Sequence, residues 1–383
     1  DRLMTGPLHG IRIIELSGIG PGPLAGQLLA DLGADVIAVD RKAEPRLPER
    51  PKDANRRGKR SIVLDLKHPD AVATVLKLCE SADALIEGFR PGVTERLGLG
   101  PDIVLGRNPK LVYGRLTGWG QTGPLAERAG HDINYIALSG ALAAIGTRDR
   151  PLPPLNLVGD YAGGSLMLCF SVLAALLSAR TTGRGQVIDV AMTDGSAAIM
   201  SLIHSLAASG IWTGARGDNL LDGGTPFYRC YETSDGGFMA VGAIEPQFYA
   251  ALLAGLGFDA ADAARQWDKA DWPRLEAAMT RRFAEKTRSE WTAIFEPTDA
   301  CVTPVLSMDE APDHPHNLAR GTFMTADGLT QPAPAPRFAG TPAAPGRGPF
   351  FAGEDTRNIL ESIGVEPDAI DRMLNDGIAG ESI

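Results

Sequence analysis

The chain has 383 residues, of which 44% are hydrophobic and 22% are charged. This composition is typical of a globular protein with a large core, and the length favours two domains. The formal net charge of −10 argues against a nucleic-acid-binding protein, and the four cysteines, which form no CxxC pair, exclude that common metal or redox motif.

The first 120 residues alternate between strand and helix patterns. β-branched, apolar runs predict strands at 11–16, 34–40, 61–66, 83–87 and 111–116. Apolar residues at helical spacing predict helices at 24–32, 69–80 and 92–97. Strands and helices that alternate at this spacing predict a Rossmann-like α/β domain, with a parallel sheet covered by helices on both faces.

The rest of the chain is predicted to extend this sheet and then to form a smaller α+β domain. Apolar helical stretches at 160–177 and 193–209 flank a strand at 186–190. The Asp-Gly step within 234–237 predicts a hairpin over 226–244. Further helices are expected at 246–256, 272–286, 288–296 and 357–363, and the proline-rich segment 331–349 as an extended arm on a neighbouring surface.

These patterns divide the chain into domains. We place the large α/β domain in residues 1–190 together with 325–383, a linker helix in 191–221, and the small α+β domain in 222–324.

The sequence also predicts where the protein resides. We find no run of about 18 or more apolar residues, so we expect no membrane span. The first residues lack the pattern of a secretory signal, and Glu381-Ser382-Ile383 is not a peroxisomal address. Together with the widely spaced cysteines, these features predict a cytoplasmic protein.

The glycine turn after the first strand superficially matches a dinucleotide-binding fingerprint. Gly18 and Gly20 are followed by Pro23, where the fingerprint requires a third glycine. Pro21 and Pro23 also remove N–H groups that would hold a pyrophosphate. The turn therefore disfavours a nicotinamide site, although it places a helix N-terminus at the carboxyl edge of the sheet, where oxyanions are stabilised.

One segment departs from the acidic character of the chain. Between Arg41 and Lys67 lie ten basic and four acidic residues, a local net charge of +6. Since ligands of open α/β sheets bind at the carboxyl ends of the strands, we interpret this segment as a cradle for a small polyanion. The alternative is a solvated basic loop.

A histidine and a carboxylate stand beside glycines in two neighbouring motifs. His131 lies in Ala129–Tyr135, and Asp160 ends Asn156–Asp160. An imidazole and a carboxylate suit proton transfer on two sides of one carbon. The alternative for Gly130-His131-Asp132 is a helix start with a structurally satisfied histidine.

Eight motifs together resemble the family III CoA-transferase fold family and, within it, the α-methylacyl-CoA racemases. They are PLHGIRIIELSGIGPGP (7–23), LGADVIAVDR (32–41), IEGFRPGVTERLGLGP (86–101), LTGWGQTGP (116–124), AGHDINYIALSG (129–140), PPLNLVGDYAGGS (153–165), GAIEPQFYAA (242–251) and GEDTRNILESIG (353–364). The resemblance implies an interlocked homodimer whose site lies between one protomer's large domain and the other's small domain. It implies an acyl-CoA substrate and no metal, flavin or redox cofactor, since CoA is part of the substrate.

The resemblance also implies roles for individual residues. His131 would be the base for one epimer and Asp160 the acid or base on the opposite face, with N–H groups near Asp160 receiving the enolate oxygen. Glu245 would orient His131 from the partner protomer, and Asp132 would either assist or only cap the helix. The residues implied to bind the CoA ester are Arg41, Leu64, Asp65, Leu66, Lys67, Gly88, Phe89, Arg90, Arg96, Gly130, Ile133, Asn134 and Tyr135.

Some single residues keep a structural alternative. Arg96 follows Glu95 and could form a surface ion pair, and Tyr135 could be an interior residue. Within the fold, the rival activity is CoA transfer between carboxylic acids with Asp160 as nucleophile. The family's transferases generally lack the histidine at position 131 and carry a longer glycine loop than Gly223-Gly224. An idle CoA-binding module is the rival from another class.

Overall fold

The computed structural model describes residues 6–16, 18–41 and 52–382. The chain divides into two compact units, the first comprising Asp1–Ser139, Leu155–Ile199 and Pro315–Ile383 and the second Gly140–Pro154 and Met200–His314. This division differs from the predicted domain limits in four places. It assigns 140–154 and the predicted linker segment 200–221 to the second unit, and 191–199 and 315–324 to the first.

The bounds of the elements are as follows. The strands are β1 (Arg12–Leu16), β2 (Asp35–Asp40), β3 (Arg60–Leu64), β4 (Ala84–Glu87), β5 (Val112–Thr117), β6 (Val187–Ala191), β7 (Tyr228–Glu232), β8 (Phe238–Gly242), β9 (Val302–Pro304), β10 (Phe323–Ala326), β11 (Leu329–Pro332) and β12 (Ala379–Gly380). The α-helices are α1 (Pro21–Asp31), α2 (Pro69–Cys79), α3 (Val93–Arg96), α4 (Pro101–Arg107), α5 (Asp132–Leu138), α6 (Ala141–Ala144), α7 (Met167–Thr182), α8 (Met192–Ala198), α9 (Ser201–Ala208), α10 (Pro246–Leu256), α11 (Trp272–Phe283), α12 (Arg288–Phe295), α13 (Pro315–Arg320), α14 (Thr356–Ser362) and α15 (Pro367–Asn375). A π-helix, Leu157–Leu166, runs directly into α7.

The first unit is built on a seven-stranded sheet in the order β12-β3-β2-β1-β4-β5-β6. β1 to β6 are parallel, as predicted, and β12 is antiparallel to β3. Ile13 and Ile14 on β1 are both fully buried because helices cover both faces of the sheet. From β1 the chain builds outward first through β2 and later through β4. The strand order therefore reverses between β1 and β4, and a crevice forms at their carboxyl ends.

Several elements differ from the sequence prediction. The stretch predicted as one helix at 193–209 breaks at Ile199 and Met200 into α8 and α9. The stretch predicted as a helix at 160–177 begins earlier as the π-helix and continues to Thr182 as α7. Helix α4, helix α15 and the two-residue strand β12 were not predicted.

The proline-rich segment predicted at 331–349 is anchored at its start. Its first two residues belong to β11, and Arg57 donates hydrogen bonds to the Gln331 side chain (2.8 Å) and the Pro332 carbonyl (2.6 Å). The rest of the segment is irregular. Its predicted packing on a neighbouring surface stays a prediction.

One helical stretch is long and apolar enough to cross a membrane, by length and composition alone. Leu157–Thr182, the π-helix with α7, has 26 residues and a mean hydropathy of 1.9. Small and polar residues such as Ser165 and Ser171 interrupt the stretch, so the sequence shows no unbroken apolar run there. Half of its most apolar 18-residue segment is buried inside the fold, and Leu168 and Val172 pack into the core. Such burial is typical of a core helix.

The second unit contains the predicted hairpin. β7 and β8 pair antiparallel, and β9 pairs with the other edge of β8. Helices α10, α11 and α12 bury their apolar faces on this sheet, around an aromatic core that includes Tyr231, Phe283 and Trp291. The Gln266 side chain donates to the carbonyls of Ala243 and Ile244 and so fixes the segment that precedes Glu245.

Candidate active site

A cavity of about 280 Å³ opens at the point where the strand order of the sheet reverses. Its walls are the loops that follow β1, β4 and β5, and the segment that leads into α5. Residues of the first unit that line it include Gly18, Gly20, Glu87, Arg90, Trp119, His131, Tyr135, Asp160 and Met192. Both predicted proton-transfer residues, His131 and Asp160, therefore face one cavity.

His131 is the residue immediately before α5. Its backbone is extended (φ −135°), and its N–H donates to the Asn134 side chain at 3.0 Å, which closes the helix start. The side chain of His131 is exposed and lines the cavity. The motif is thus a helix start, as the structural alternative supposed, and it also presents the imidazole to the cavity.

Asp160 lies in the π-helix and is half-buried. Burial raises the pKa of its carboxyl group, and the neighbouring charge of Asp132 raises it further. A hydrogen bond from Asn156 (3.3 Å) and the influence of His131 act in the opposite direction. A carboxyl group with a raised pKa is better suited to exchange a proton with a weak carbon acid than an ordinary, fully solvated one.

Asp132 is bound to the segment that carries Asp160. Its Oδ2 accepts the backbone N–H of Asp160 at 2.7 Å, and a β-carbon at Gly159 would lie 2.7 Å from the same oxygen. Asp132 is 6% exposed, and its Oδ1 finds no hydrogen-bond partner among the described residues. This bond occupies the N–H of Asp160 itself, and the expectation that N–H groups near Asp160 receive the enolate oxygen stays a prediction.

The π-helix is seated by close backbone contacts. A β-carbon at Gly195 in α8 would overlap the carbonyl oxygen of Gly163, so the two elements can meet only at glycines. Ser165 Oγ donates to the Pro21 carbonyl at 2.6 Å and ties the π-helix to the start of α1. π-Helical turns are frequent at functional sites, and here one positions Asp160.

Tyr135 forms one wall of the cavity. Its hydroxyl donates to the Gly130 carbonyl, and its ring meets Trp119 edge to face with centroids 4.9 Å apart. A β-carbon at Gly118 would overlap the Tyr135 ring, which explains the glycine there. Four of the residues implied to bind the CoA ester lie in the segment 130–135, and of these Gly130 and Tyr135 line the cavity. Ile133 and Asn134 lie on the first turn of α5 and do not line it.

The residues implied to bind CoA follow β2, β3 and β4 at the same edge of the sheet, where β1 lies between β2 and β4. Gly88, Phe89 and Arg90 follow β4 and line the cavity. Arg41 follows β2, is exposed, and holds its guanidinium 5.6 Å from the centre of the Phe89 ring. Asp65, Leu66 and Lys67 follow β3, and Arg96 ends the short helix α3. Leu64 is different, because its side chain is buried in the core.

The structure corrects the argument from the basic segment. Four of its ten basic residues form internal ion pairs: Arg56 with Asp40 (2.7 Å), Arg57 with Asp31 (2.7 Å), Lys59 with Glu15 (2.7 Å) and Arg60 with Asp35 (2.7 Å). These cations neutralise carboxylates of the fold and do not face a ligand. Lys42, Arg46 and Arg50 lie outside the described residues. Arg41, Lys52 and Lys67 are exposed and remain available to a polyanion.

Glu95 is not the partner of Arg96 that the sequence suggested. Its carboxylate is held by Arg115 at 2.7 Å, and Arg115 also binds the buried Glu87 at 2.8 Å. Sequence reasoning missed both Arg115 and Glu87. Each is a charged residue inside an otherwise apolar strand pattern. Such a residue must be paired when its strand is buried, and this was the signal that could have identified both.

Glu245 belongs to the second unit, where it is exposed and immediately precedes α10. Met192 lines the cavity, whereas Met239 is buried in the core of the second unit. Within 6–16, 18–41 and 52–382, no group of three or more histidine, cysteine, aspartate or glutamate side chains could hold a metal ion.

Comparisons with known proteins agree with this architecture. The family model described as CoA-transferase family III matches residues 8–356. The chain is 48% identical over 377 residues to "Alpha-methylacyl-CoA racemase" of Homo sapiens and 47% identical over 375 residues to that of Mus musculus, with 97% of each chain covered. The solved structure of Rv3272 from M. tuberculosis, orthorhombic form, superposes with a TM-score of 0.76 at 30% identity, covering 93% of this chain and 99% of that one.

Proposed function

We propose that this chain, which belongs to CoA-transferase family III, interconverts the 2R and 2S epimers of 2-methylacyl-CoA thioesters. Its similarity to two named racemases along nearly the whole chain supports this reading. The observation that carries it is chemical: an imidazole, His131, and a carboxylate of raised pKa, Asp160, line the same cavity.

The reaction needs two proton-transfer groups. A thioester makes its α-proton removable because the resulting carbanion is delocalised onto the carbonyl as an enolate, yet the proton is still weakly acidic. One group must take the proton from one face while another returns a proton to the opposite face. His131 does the first and Asp160 the second in one direction, and they exchange roles in the other. Neither step requires a cofactor besides the CoA of the substrate.

Asp132 and Glu245 support these two groups in different ways. Asp132 fixes the backbone of Asp160 through its 2.7 Å hydrogen bond and acts as a positioning residue. Glu245 stands before α10 with an exposed carboxylate. We assign it the orientation of the imidazole of His131 in the partner protomer of an interlocked homodimer, where it selects the tautomer that accepts a proton.

The CoA moiety lies along the carboxyl edge of β2, β3 and β4. The loop at Gly88–Arg90 borders the cavity, and the exposed cations Arg41 and Lys67 follow β2 and β3, on the other side of β1. Cations in this position suit the phosphates of CoA. The protein acts in the cytoplasm, where a chain with four free cysteines stays reduced.

The deciding experiment follows the α-proton. The protein is incubated with one pure epimer of a 2-methylacyl-CoA in deuterium oxide, without any acceptor acid. We expect deuterium to enter the α-position while the other epimer accumulates, monitored by NMR and chiral chromatography. If no exchange occurs across several acyl chains but CoA moves onto an added carboxylate, Asp160 is a nucleophile and the protein is a transferase.

A further inference from the structure

We propose that Arg115 is a positioning residue for the CoA moiety, because one guanidinium holds both the loop Gly88–Arg90 and the short helix α3 in place. The inference rests on the proposed function, which makes Gly88–Arg90 and Arg96 contacts of CoA. Arg115 lies on β5 and is 6% exposed, so it does not reach the ligand itself.

Arg115 joins two segments that the sheet alone does not connect. Its Nε donates to Glu87 Oε1 at 2.8 Å, at the carboxyl end of β4. Its terminal nitrogens donate to both carboxylate oxygens of Glu95 (2.7 and 3.1 Å) and to Thr94 Oγ1 (3.1 Å) on α3. A planar guanidinium can form this bridge, whereas the single ammonium of a lysine cannot.

Glu87 connects Arg115 to the backbone of the loop Gly88–Arg90. Its Oε2 accepts the backbone N–H of Phe89 at 2.7 Å while its Oε1 is held by Arg115. The side chain of Glu87 is fully buried, and burial raises the pKa of its carboxyl group against the opposing effect of the Phe89 N–H and Arg115. The backbone of the loop at Phe89 is therefore set by a carboxylate whose own position is fixed by Arg115.

Helix α3 depends on the same contact. It has only four residues, too few for a helix to be stable by itself. Arg115 holds Thr94 and Glu95 in its centre and lowers the pKa of Glu95 to about 2. Arg96 follows directly and lies against Gly92, where a β-carbon would be 3.1 Å from its guanidinium. Fixing Glu95 therefore fixes the point from which Arg96 extends.

The test compares two pairs of variants. Glu95→Ala removes the hold on α3 but leaves the Arg115–Glu87 pair intact, and Glu95 is exposed enough (45% of its side chain) for the variant to fold. Its control is Glu80→Ala, which removes a glutamate paired with Lys77 and Arg107 at the surface. Arg115→Lys is matched in the same way by Arg107→Lys.

Affinity for free CoA is measured by calorimetry, together with KM, kcat and the melting temperature. We expect Glu95→Ala and Arg115→Lys to raise the Kd of CoA and the KM by about tenfold or more, with kcat at saturation within about twofold. Glu80→Ala and Arg107→Lys should change none of these. If Arg115→Lys fails to fold, Glu95→Ala decides the question alone.

Two results separate this inference from the proposed function. An unchanged Kd and KM in Glu95→Ala and in folded Arg115→Lys, with only the melting temperature lowered, would give Arg115 a purely structural role and overturn the inference. Because free CoA is the ligand, a wild-type protein that binds CoA but exchanges no α-proton would contradict the racemase proposal and leave the inference testable.

Discussion

The two residues proposed to transfer the α-proton occupy unlike surroundings, although both line the same cavity. His131 is exposed and precedes a helix, whereas Asp160 is half-buried beside a second carboxylate, Asp132. Such a difference gives the two faces of the substrate different acid–base properties. The acidic limb of the pH profile should therefore depend on the surroundings of Asp160.

In the direction in which Asp160 takes the α-proton, its carboxyl group must be ionised. Because the pKa of this carboxyl group is raised, kcat/KM should fall on acidification at a higher pH than an ordinary carboxyl group would give. The fall should be the same for both epimers, because their pH-independent equilibrium constant fixes the ratio of the two kcat/KM values. Asp132→Asn keeps an oxygen that can accept the Asp160 N–H but removes the like charge, so it should move this loss to lower pH. The measurement is kcat/KM against pH for each pure epimer.

The control for that experiment is Asp102→Asn, which neutralises an exposed aspartate on α4 and should leave both profiles in place. A fall in kcat/KM no higher in pH than an ordinary carboxyl group would give, or a shift to higher pH in Asp132→Asn, would contradict the assignment of Asp160 and its coupling to Asp132.

Replacement of His131 tests the other face. His131→Ala should lower the rate of epimerisation by at least about a hundredfold, the usual loss when a general base is removed. CoA affinity measured by calorimetry should remain within a factor of about two or three, because His131 faces the reacting carbon in the proposed site. Turnover that persists at the wild-type rate would rule out the two-base mechanism.

At the scale of elements, the close contact between the π-helix and α8 is the feature most sensitive to a small increase in side-chain size. Gly195→Ala would place a methyl group against the Gly163 carbonyl and push the π-helix that carries Asp160. We expect a loss of about 1–3 kcal/mol in the free energy of unfolding, as for other overpacked sites. A fall in kcat should accompany it. Urea denaturation and steady-state kinetics measure the two effects.

Gly106→Ala is the matched control, since Gly106 lies in α4 with open space around its α-carbon. There the alanine should be neutral or stabilise the helix by up to about 1 kcal/mol. Equal effects of the two substitutions would show that the contact between the π-helix and α8 does not constrain the site.

The sequence predicts the strands well and the π-helix poorly, for physical reasons. Apolar runs such as 11–16 are buried on both faces of a parallel sheet, so their pattern is local and unbroken. The π-helix owes its place to a contact between Gly163 and Gly195, residues far apart in sequence. β12 has two residues and is defined only by its pairing with β3.

At the scale of the whole molecule, charge is the property that composition describes least well. The basic residues of the segment 41–67 suggested a ligand, yet Lys59 and Arg57 are buried against Glu15 and Asp31. These partners come from β1 and α1, so a count along the chain cannot reveal them. His131 and Asp160, which two glycine-flanked motifs carry, line one cavity, and their roles in proton transfer stay a prediction. Arg115 was not, because its role depends on three-dimensional contacts.

The proposed dimer can be tested by complementation. His131→Ala and Glu245→Ala should each be nearly inactive alone. If Glu245 acts on the His131 of the partner protomer, a purified heterodimer of the two variants contains one intact site and should show about half the wild-type activity, given that its two sites work independently. If both residues act within one protomer, every site in the heterodimer is defective and no activity returns.

The way β12 closes the sheet has a consequence for the order of biosynthesis. In the part of the chain that the structure describes, the outer edge of β3 pairs with Ala379–Gly380, more than three hundred residues later. The second unit needs nothing beyond His314. During translation it can therefore finish folding while the first unit still exposes an unpaired strand edge, the kind of surface on which nascent chains aggregate. The unit whose strands emerge first is thus the last of the two to complete its fold.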